Sequence, residues 1–461
     1  MNLTRAWVGA ALAAVLLAGC KPEARLFWSP DGTRAAVRLP QGLCLVDTNG
    51  VRSAPLAQDV TSAAWLADGK GLVLVRGITV TNWTEVERLV SPAETAPARL
   101  LAPALPGLLK GARAVSGGDI DSDRLSVFEP LMPKNETALL QAALCMRDTR
   151  RDELASALKG APGGDKVLND LTGATVTVSE VSLLRLAGPA PAGERVVLTR
   201  TLLPVGQARP SPSAAAVAFD RERALVVAPL DGGTNRVTVA ERIAGEFDWT
   251  PDGRSLVYAV PLAGEEDDSS MNLARLERRT ALDAHGAPIA GEVVPLALVC
   301  FASRPCLRCL PDGRVLLAGL AMSLPAAATS AQEARLYLLD GSKPGTAPVS
   351  IATAPDALPK ELAYFAPSPD GRRIAVVQSG DDAVSVVTIA DGRVEAISPP
   401  RGARCRTLPA WRGADELFYA ALAEAGAKRV DLWRWRPGAA PERFCRTWTD
   451  DAVKGLLEMP K

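Results

Sequence analysis

The 461-residue chain contains a single histidine, His285. Ser-His-Asp triads, Cys-His pairs and multi-histidine zinc sites would all have to use this one side chain. It stands in the stretch 283–288, whose Asp, Gly and Pro predict a loop and a solvated histidine. The sequence also lacks a Gly-x-Ser-x-Gly motif and a Walker-type glycine loop. We therefore predict no catalytic residue, no metal site and no cofactor.

An excess of charge is also lacking. The 52 basic and 52 acidic side chains balance at pH 7. A nucleic-acid partner requires a basic surface, so nucleic acid is not predicted as a partner. An apolar content of 48% together with 36 prolines indicates a folded, turn-rich β-protein rather than a disordered chain.

The first apolar run, residues 6–18, is too short to cross a bilayer comfortably and predicts a signal peptide. It ends in Leu17-Ala18-Gly19-Cys20, which resembles the lipobox of bacterial lipoproteins. The resemblance implies cleavage after residue 19, lipidation of Cys20 and attachment to a membrane through that lipid. In enteric lipoproteins an Asp after the cysteine implies inner-membrane retention, so Lys21 favours the outer membrane. The expected location is the bacterial envelope, facing the periplasm.

What the chain does have is a recurring turn phrase. Pro, Asp and Gly, preceded by Ser or Thr or, in one copy, by Leu310, are followed by a basic residue or Thr and then by a short apolar run. Pro presets the first turn position, Asp bonds to nearby backbone and Gly adopts a positive φ, so each phrase predicts a turn between two strands. The clear copies are residues 27–32, 248–253, 308–313 and 366–371.

Weaker copies complete a series of seven candidate blades. A second turn signal within several units, such as Asp231-Gly232 or Asp391-Gly392, makes each unit two hairpins. The predicted fold class is all-β, a β-propeller of about seven four-stranded blades. The large rings of the phrases, Trp28, Trp65, Trp249 and Trp411, are expected to pack between neighbouring blades. The blades are predicted to start near residues 28, 65, 210, 249, 309, 367 and 411.

Residues 80–172 do not follow this repeat. The stretch 82–90 predicts a capped helix, and 135–158 has apolar residues at helical spacing. We interpret 80–172 as a helical insertion in the second blade, either a brace over one propeller face or a partner-docking surface. The domain prediction is a signal peptide at 1–19, propeller at 20–79, the insertion at 80–172 and the rest of the propeller at 173–461.

Seven cysteines remain besides Cys20, an odd number that leaves at least one thiol in an oxidising compartment. The cluster of Cys300, Cys306 and Cys309 predicts a local disulfide, with buried thiols or metal or redox chemistry as alternatives. Cys405 and Cys445 stand in similar local sequences around the last blade, where a bridge would help to close the ring.

Two acidic groups are candidate sites. The spacing of Asp119, Asp121 and Asp123 is similar to the start of a calcium loop, but Arg124 and Pro130 occupy positions where an EF-hand needs Gly and Glu. A helix N-terminus explains these residues better. The run 265–268 predicts a solvated hairpin tip, and nothing in the sequence places two of its carboxylates face to face for glycoside chemistry.

The turn phrases at Ser29–Thr33, Thr250–Arg254 and Ser368–Arg372, each followed by an apolar strand, resemble the repeat of TolB-type, WD40-like propellers. The resemblance covers about residues 25–76 and 175–450. It implies a periplasmic propeller that binds proteins or envelope components. The Tol-system member itself has six blades, whereas seven candidates occur here, so the resemblance does not extend to a role in the Tol complex.

Three functions follow as hypotheses. The first is a lipid-anchored, non-catalytic module that binds or scaffolds a protein partner in the cell envelope, and it is favoured by the single histidine and the balanced charge. The second is a hydrolase or lyase-like enzyme in the central funnel, which would need carboxylates or Arg and Tyr side chains converging there. The third is a structural envelope protein.

Overall fold

The computed structural model describes residues 25–39, 42–48, 53–105, 136–159, 169, 175–186, 193–262, 272–301, 306–319, 335–351, 362–378, 384–397, 408–422 and 430–444. They form seven antiparallel sheets, each built from strands that are consecutive along the chain. The protein is a seven-bladed β-propeller with a helical insertion in the second blade, which confirms the predicted fold class.

The first four blades run from β1 to β15. Their strands are β1 Leu26–Trp28, β2 Arg34–Leu39 and β3 Gly42–Asp47; β4 Val60–Trp65, β5 Gly71–Val80, β6 Val176–Leu186 and β7 Gly193–Thr201; β8 Val205–Pro210, β9 Ala216–Arg221, β10 Ala224–Pro229 and β11 Val237–Ala240; and β12 Phe247–Trp249, β13 Ser255–Pro261, β14 Asn272–Thr280 and β15 Val293–Phe301.

The last three blades run from β16 to β27. Their strands are β16 Cys306–Cys309, β17 Arg314–Gly319, β18 Arg335–Asp340 and β19 Val349–Ser350; β20 Leu362–Pro367, β21 Arg373–Gln378, β22 Val384–Thr388 and β23 Val394–Ile397; and β24 Ala410–Arg412, β25 Glu416–Leu422, β26 Val430–Trp435 and β27 Glu442–Arg443. The first strand of every blade ends at or within one residue of a predicted blade start, so all seven starts are confirmed.

Blade 1 has an irregular outer edge. Its sheet contains three regular strands, and residues 53–57 take the place of the fourth. Leu43 and Ala57 form an isolated antiparallel bridge, and the Ser53 N–H donates to the Leu45 carbonyl at 2.8 Å. The edge of β3 is therefore hydrogen-bonded in part by a segment that is not itself a strand.

The second strands are apolar at nearly every position because each is covered on both faces. Along β13, Leu256 and Tyr258 belong to the buried cluster that includes Leu225 of blade 3. The intervening Val257 and Ala259 belong to the cluster that includes Val315 of blade 5. Alternate side chains thus enter two different cores, one on each side of the blade. A single blade cannot bury these faces alone, so the blades stabilise one another.

The three phrases that keep Ser or Thr, Pro, Asp and Gly share one hydrogen-bond pattern. In blade 6 the Ser368 hydroxyl donates to Asp370 Oδ1 at 2.6 Å, and the same carboxylate oxygen accepts the Arg372 N–H at 3.1 Å. Gly371 has φ 68°, in the left-handed region that favours glycine. In the degenerate third phrase Ala214 holds this position with φ 55°, and Ser213 replaces Asp by pairing with Ser211 at 2.9 Å.

Three tryptophans join neighbouring blades by hydrogen bonds. Each indole N–H donates at 2.9 Å to a backbone carbonyl on the first strand of the preceding blade. The pairs are Trp65 with Phe27, Trp249 with Arg209, and Trp411 with Ala366. The prediction that these rings pack between blades is confirmed, and the bonds also fix how far one blade slides along the next.

The chain divides into two compact units: Met1–Val73 with Leu183–Val196 and Gln207–Lys461, and Leu74–Ser182 with Val197–Gly206. In the first unit β1 lies beside β4, β12 beside β16, β16 beside β20, and β20 beside β24. β24 also lies beside β1, so blade 7 meets blade 1 and the ring closes.

The second unit contains the helices, which lie between β5 and β6 in the chain. They are α1 Trp83–Leu89, α2 Pro92–Leu101, α3 Glu136–Thr149 and α4 Arg151–Leu158, with a 3₁₀ turn at Ala102–Ala104. The Asn82 side chain caps α1 by accepting the Glu85 N–H, as the sequence predicts. Among the described residues, no helix is long and apolar enough to cross a membrane.

The helices of this unit are fastened to its strands by buried contacts. Trp83 and Met146 share one apolar cluster with the strand residue Val178. Gln141, which is buried, donates to the Leu202 carbonyl at 3.1 Å, and Glu94 accepts the Thr201 hydroxyl at 2.7 Å. These contacts hold the helices to strands of their own unit, and the brace interpretation of the insertion stays a prediction.

We expect Trp249→Phe to lower the free energy of unfolding by about 1–3 kcal/mol more than Trp28→Phe. Both substitutions remove an indole of the same size, but only Trp249 donates to a carbonyl, that of Arg209. The Trp28 Nε1 is buried without a hydrogen-bond partner among the described residues. Urea unfolding of both variants measures the difference, and equal losses would contradict the role of the interblade bond.

Burial raises the pKa of Asp370, but the hydrogen bonds from Ser368 and Arg372 outweigh it and place the pKa below its usual value. A carboxyl whose pKa is lowered on folding contributes stability above the unfolded pKa, about 3.9, which is lost as the pH falls through the folded value. We expect Asp370→Asn to be less stable than the parent protein at pH 7. Because the variant has no carboxylate to protonate at this position, its free energy of unfolding should fall less than that of the parent below pH about 4. Urea unfolding from pH 7 to 3 tests this. Ser368→Ala, which removes one of the hydrogen bonds that lower the pKa of Asp370, should also weaken the pH dependence of the free energy of unfolding.

Candidate functional site at the innermost strands

The first strands of blades 3, 4 and 5 place charged side chains at equivalent positions. Arg209, Asp248 and Arg308 each stand one residue before the last residue of their strand. In blades 4 and 5 these residues face Val257 and Leu316 across the first hairpin, which confirms the equivalence. Since the first strands surround the central channel of a propeller, these side chains belong to its lining.

Arg209 bridges two acidic residues of the next blade. Its Nη1 lies 3.3 Å from Asp248 Oδ1, and its Nη2 lies 3.9 Å from Glu246 Oε2. The guanidinium also donates to Gln207 Oε1 at 3.2 Å, and its carbon lies 5.9 Å from the centre of the Phe247 ring. These contacts hold the arginine side chain in one orientation.

Arg308 approaches Glu246 from the opposite side. Its Nη1 pairs with Glu246 Oε2, and its guanidinium carbon lies 5.9 Å above the ring of Tyr364 in blade 6. We call Arg209, Glu246, Asp248 and Arg308 the charged sector. Their side chains are between 12% and 24% exposed, so the ion pairs are shielded in part and remain open to a ligand.

Asp248 also fastens the next blade. Its Oδ2 accepts the Cys309 N–H at 2.9 Å, and its Oδ1 accepts the Trp249 N–H at 3.0 Å. Burial raises the pKa of the Cys309 thiol well above its ordinary value, and the Asp248 carboxylate raises it further. This thiol therefore stays protonated at neutral pH and is a poor nucleophile.

The other blades do not continue this charge pattern. The residues equivalent to Arg209 are small or apolar, and all are partly exposed. They are Phe27, Ala64, Ala366 and Ala410. One side of the lining therefore offers paired charges together with Tyr364, while the other offers small side chains and one aromatic ring. Such an asymmetric lining can orient a ligand that carries both charge and apolar surface.

The predicted site residues have different outcomes. His285 is exposed in the turn between β14 and β15, where its N–H donates to Asp283 Oδ1 at 2.8 Å, so the prediction of a solvated loop histidine is confirmed. Cys20, the acidic groups 119–123 and 265–268, and the pair Cys405 and Cys445 lie outside the described residues.

The predicted disulfide in the cysteine cluster is wrong, since each of its three possible pairs would include Cys300 or Cys309. Cys300 and Cys309 are both thiols in the structure. They lie on strands of different blades, β15 and β16, and Cys309 takes part in the packing against Asp248 instead. The side chain of Cys306 lies outside the described part. The alternative of buried thiols describes Cys300 and, in part, Cys309.

Sequence reasoning missed the charged sector. Its members are separated by up to about a hundred positions, and none belongs to a known motif. A signal was nevertheless present: Arg209, Asp248 and Arg308 occupy the same position relative to three successive turn phrases. Aligning the repeat units on their turns, and comparing the residue just before the tryptophan position, would have brought the three together.

No family model matches this chain, and no curated protein matches it. Among solved structures, 714 chains match. One is TolB from Acinetobacter baumannii, with 16% sequence identity and a TM-score of 0.37; the match covers 62% of this chain and 65% of that one. This chain therefore spans slightly less than two thirds of the TolB chain.

Two further matches are of other kinds. Hydrazine synthase from Kuenenia stuttgartiensis has 9% identity and a TM-score of 0.47, with 91% of this chain and 97% of that chain covered. Acylaminoacyl peptidase from Pyrococcus horikoshii has 14% identity and a TM-score of 0.39, with 58% and 41% covered. These likenesses carry no functional argument, and the propeller assignment rests on the sheet order.

A double-mutant cycle on Glu246→Ala and Arg308→Ala should give a coupling free energy of about 1–2 kcal/mol, because the pair is shielded in part from solvent. The exposed helix pair Arg150 and Glu153, whose atoms lie 3.0 Å apart, is the control cycle and should give about 0–0.5 kcal/mol. Urea unfolding provides all the values. Equal coupling in the two cycles would show that the charged sector is not a shielded network.

Proposed function

We propose that this protein is a lipid-anchored β-propeller of the bacterial envelope that binds a protein partner without catalysing a reaction. Lipid on Cys20 would hold it at the periplasmic face of a membrane, and Lys21 favours the outer membrane. The lipobox resemblance supports the anchor, and the turn phrases support a propeller of the TolB type. The fold itself fits a binding scaffold.

The charged sector is the observation that carries the binding role. Arg209 pairs with both Glu246 and Asp248, and Arg308 pairs with Glu246. These ion pairs keep the two carboxylates in fixed positions. Paired charges on rigid strands recognise a partner through complementary charge and fixed geometry. The balanced total charge favours a local recognition patch over non-specific attraction.

The test is photo-crosslinking in cells of the full-length protein. A photoreactive amino acid at Ala366, in the channel lining, should capture a protein partner, and the double variant Glu246→Ala, Arg308→Ala should reduce capture at least about fivefold. The control position is Val349, which is 66% exposed on the outermost strand of blade 5. Capture that is unchanged in the double variant would contradict recognition by the charged sector.

The anchor is tested in the same cells. Cys20→Ala should move the protein from the membrane fraction to the soluble periplasmic fraction and abolish labelling by a fatty-acid analogue. A variant that stays with the membrane and is still labelled would contradict lipidation at this residue.

The charged sector also favours a second candidate, a hydrolase or lyase-like enzyme that uses the funnel. Carboxylates, arginines and Tyr364 converge there, as such chemistry would require. The crosslinking result separates the two. The enzyme would be favoured if Ala366 captures no protein and added envelope glycans bind at the charged sector.

A further inference from the structure

The boundary between blade 7 and blade 1 joins the last and first blades of the chain. In the described part of the chain, blade 1 is built from β1–β3 and blade 7 from β24–β27. Within the described residues, the first and last blades share no sheet there. The side chains of these residues meet between two separate sheets.

Among the described residues, aromatic rings, one guanidinium and apolar side chains meet at this boundary. The Trp28 and Phe418 ring centres lie 4.8 Å apart, and the Arg412 guanidinium lies 5.1 Å above the Trp28 ring. Leu26 and Val37 of blade 1 share a buried cluster with Phe418 and Leu432 of blade 7. These are packing contacts between side chains of two separate sheets, so the two faces separate without either sheet unfolding as a whole.

The boundaries on either side are fastened by hydrogen bonds. Between blades 1 and 2, Trp65 donates to the Phe27 carbonyl at 2.9 Å and Arg34 donates to the Gly69 carbonyl at 2.8 Å. Between blades 6 and 7, Trp411 donates to the Ala366 carbonyl at 2.9 Å, and Arg373 lies 2.7 Å from Asp415.

Trp28 breaks this series. It occupies the same position as Trp65, Trp249 and Trp411, yet its Nε1 is buried without a hydrogen-bond partner among the described residues. A buried N–H without an acceptor costs free energy in the closed state and is hydrated when the boundary separates. The boundary therefore lacks the bond that the other tryptophans supply and carries a cost that opening relieves.

We propose that the propeller opens reversibly between blade 7 and blade 1, and that this opening gives a partner lateral access to the channel lining. The opening itself rests only on the boundary contacts. Its use by a partner rests on the proposed binding function. Both sheets persist during opening, but the three-residue strands β1 and β24 lose the packing of the facing blade and fray from β2 and β25, so the motion is a local separation rather than global unfolding.

Hydrogen exchange of the full-length protein measures the opening without any ligand. We expect amides of β1 and β24 to exchange at least about tenfold faster than the equivalent amides of β12, under conditions where the whole chain stays folded. The comparison is matched, because β1, β12 and β24 are all three-residue first strands of blades. Equal exchange rates in the three strands would overturn the proposal.

A disulfide across the boundary provides the second measurement. A Cβ built on Gly32 lies 3.2 Å from Arg412 Cγ, so the double variant Gly32→Cys, Arg412→Cys places two thiols within bonding reach. The matched control is Gly286→Cys, Ala215→Cys between blades 3 and 4, where a Cβ built on Gly286 lies 3.1 Å from Ala215 Cβ. Gly32 and Gly286 both have φ in the left-handed region, 67° and 82°, so the backbone cost of substitution is similar.

The oxidised boundary variant should slow exchange in β1 and β24 to the rate of β12 and should reduce crosslinking from Ala366 at least about fivefold, with both effects reversed by reduction. The oxidised control should leave exchange in β1 and β24 fast. If the oxidised boundary variant slows exchange in β1 and β24 but leaves crosslinking unchanged, the ring opens, but the opening does not admit the partner. Exchange that the boundary disulfide leaves unchanged would overturn the opening itself.

Discussion

The structure depends on the contact between one blade and the next. A four-stranded sheet with apolar side chains on both faces has no stable existence alone, and strands such as β13 send alternate residues into two different cores. The indole bonds from Trp65, Trp249 and Trp411 add direction to this packing, since each ties a ring to one carbonyl of the preceding blade. Apolar burial holds the blades together, and these bonds set their register.

The charged sector is a product of that register. Arg209, Asp248 and Arg308 come from three blades and meet because their strands end at the same level. The Asp248 carboxylate serves both neighbours: it pairs with Arg209 and accepts the Cys309 N–H. Asp248 therefore takes part in interblade packing as well as in the charged sector, so the geometry of the charged sector is as rigid as the ring in that region.

The features that the sequence predicts well are those encoded locally. Pro-Asp-Gly specifies a turn within a few residues, and Asn82 specifies the start of a helix, so blade starts and α1 were both predictable. The charged sector was not, because Glu246 and Arg308 are brought together only by the spacing between blades. The thiol state of Cys300 and Cys309 was missed for the same reason, since closeness in sequence did not reveal that they belong to different blades.

The third turn shows how such a ring diverges. Ala214 adopts φ 55° where other phrases have glycine, and a Cβ built on Gly253 of the next blade would lie only 2.8 Å from the Ser213 backbone nitrogen. The loop keeps its conformation although its own sequence has diverged from the turn phrase, because Ser211 and the adjoining turn constrain it. The conformation of a blade therefore depends on contacts with its neighbours as much as on its own sequence. A unit can lose its turn phrase one residue at a time while the ring persists. The number of recognisable turn phrases is therefore a lower bound on the number of blades.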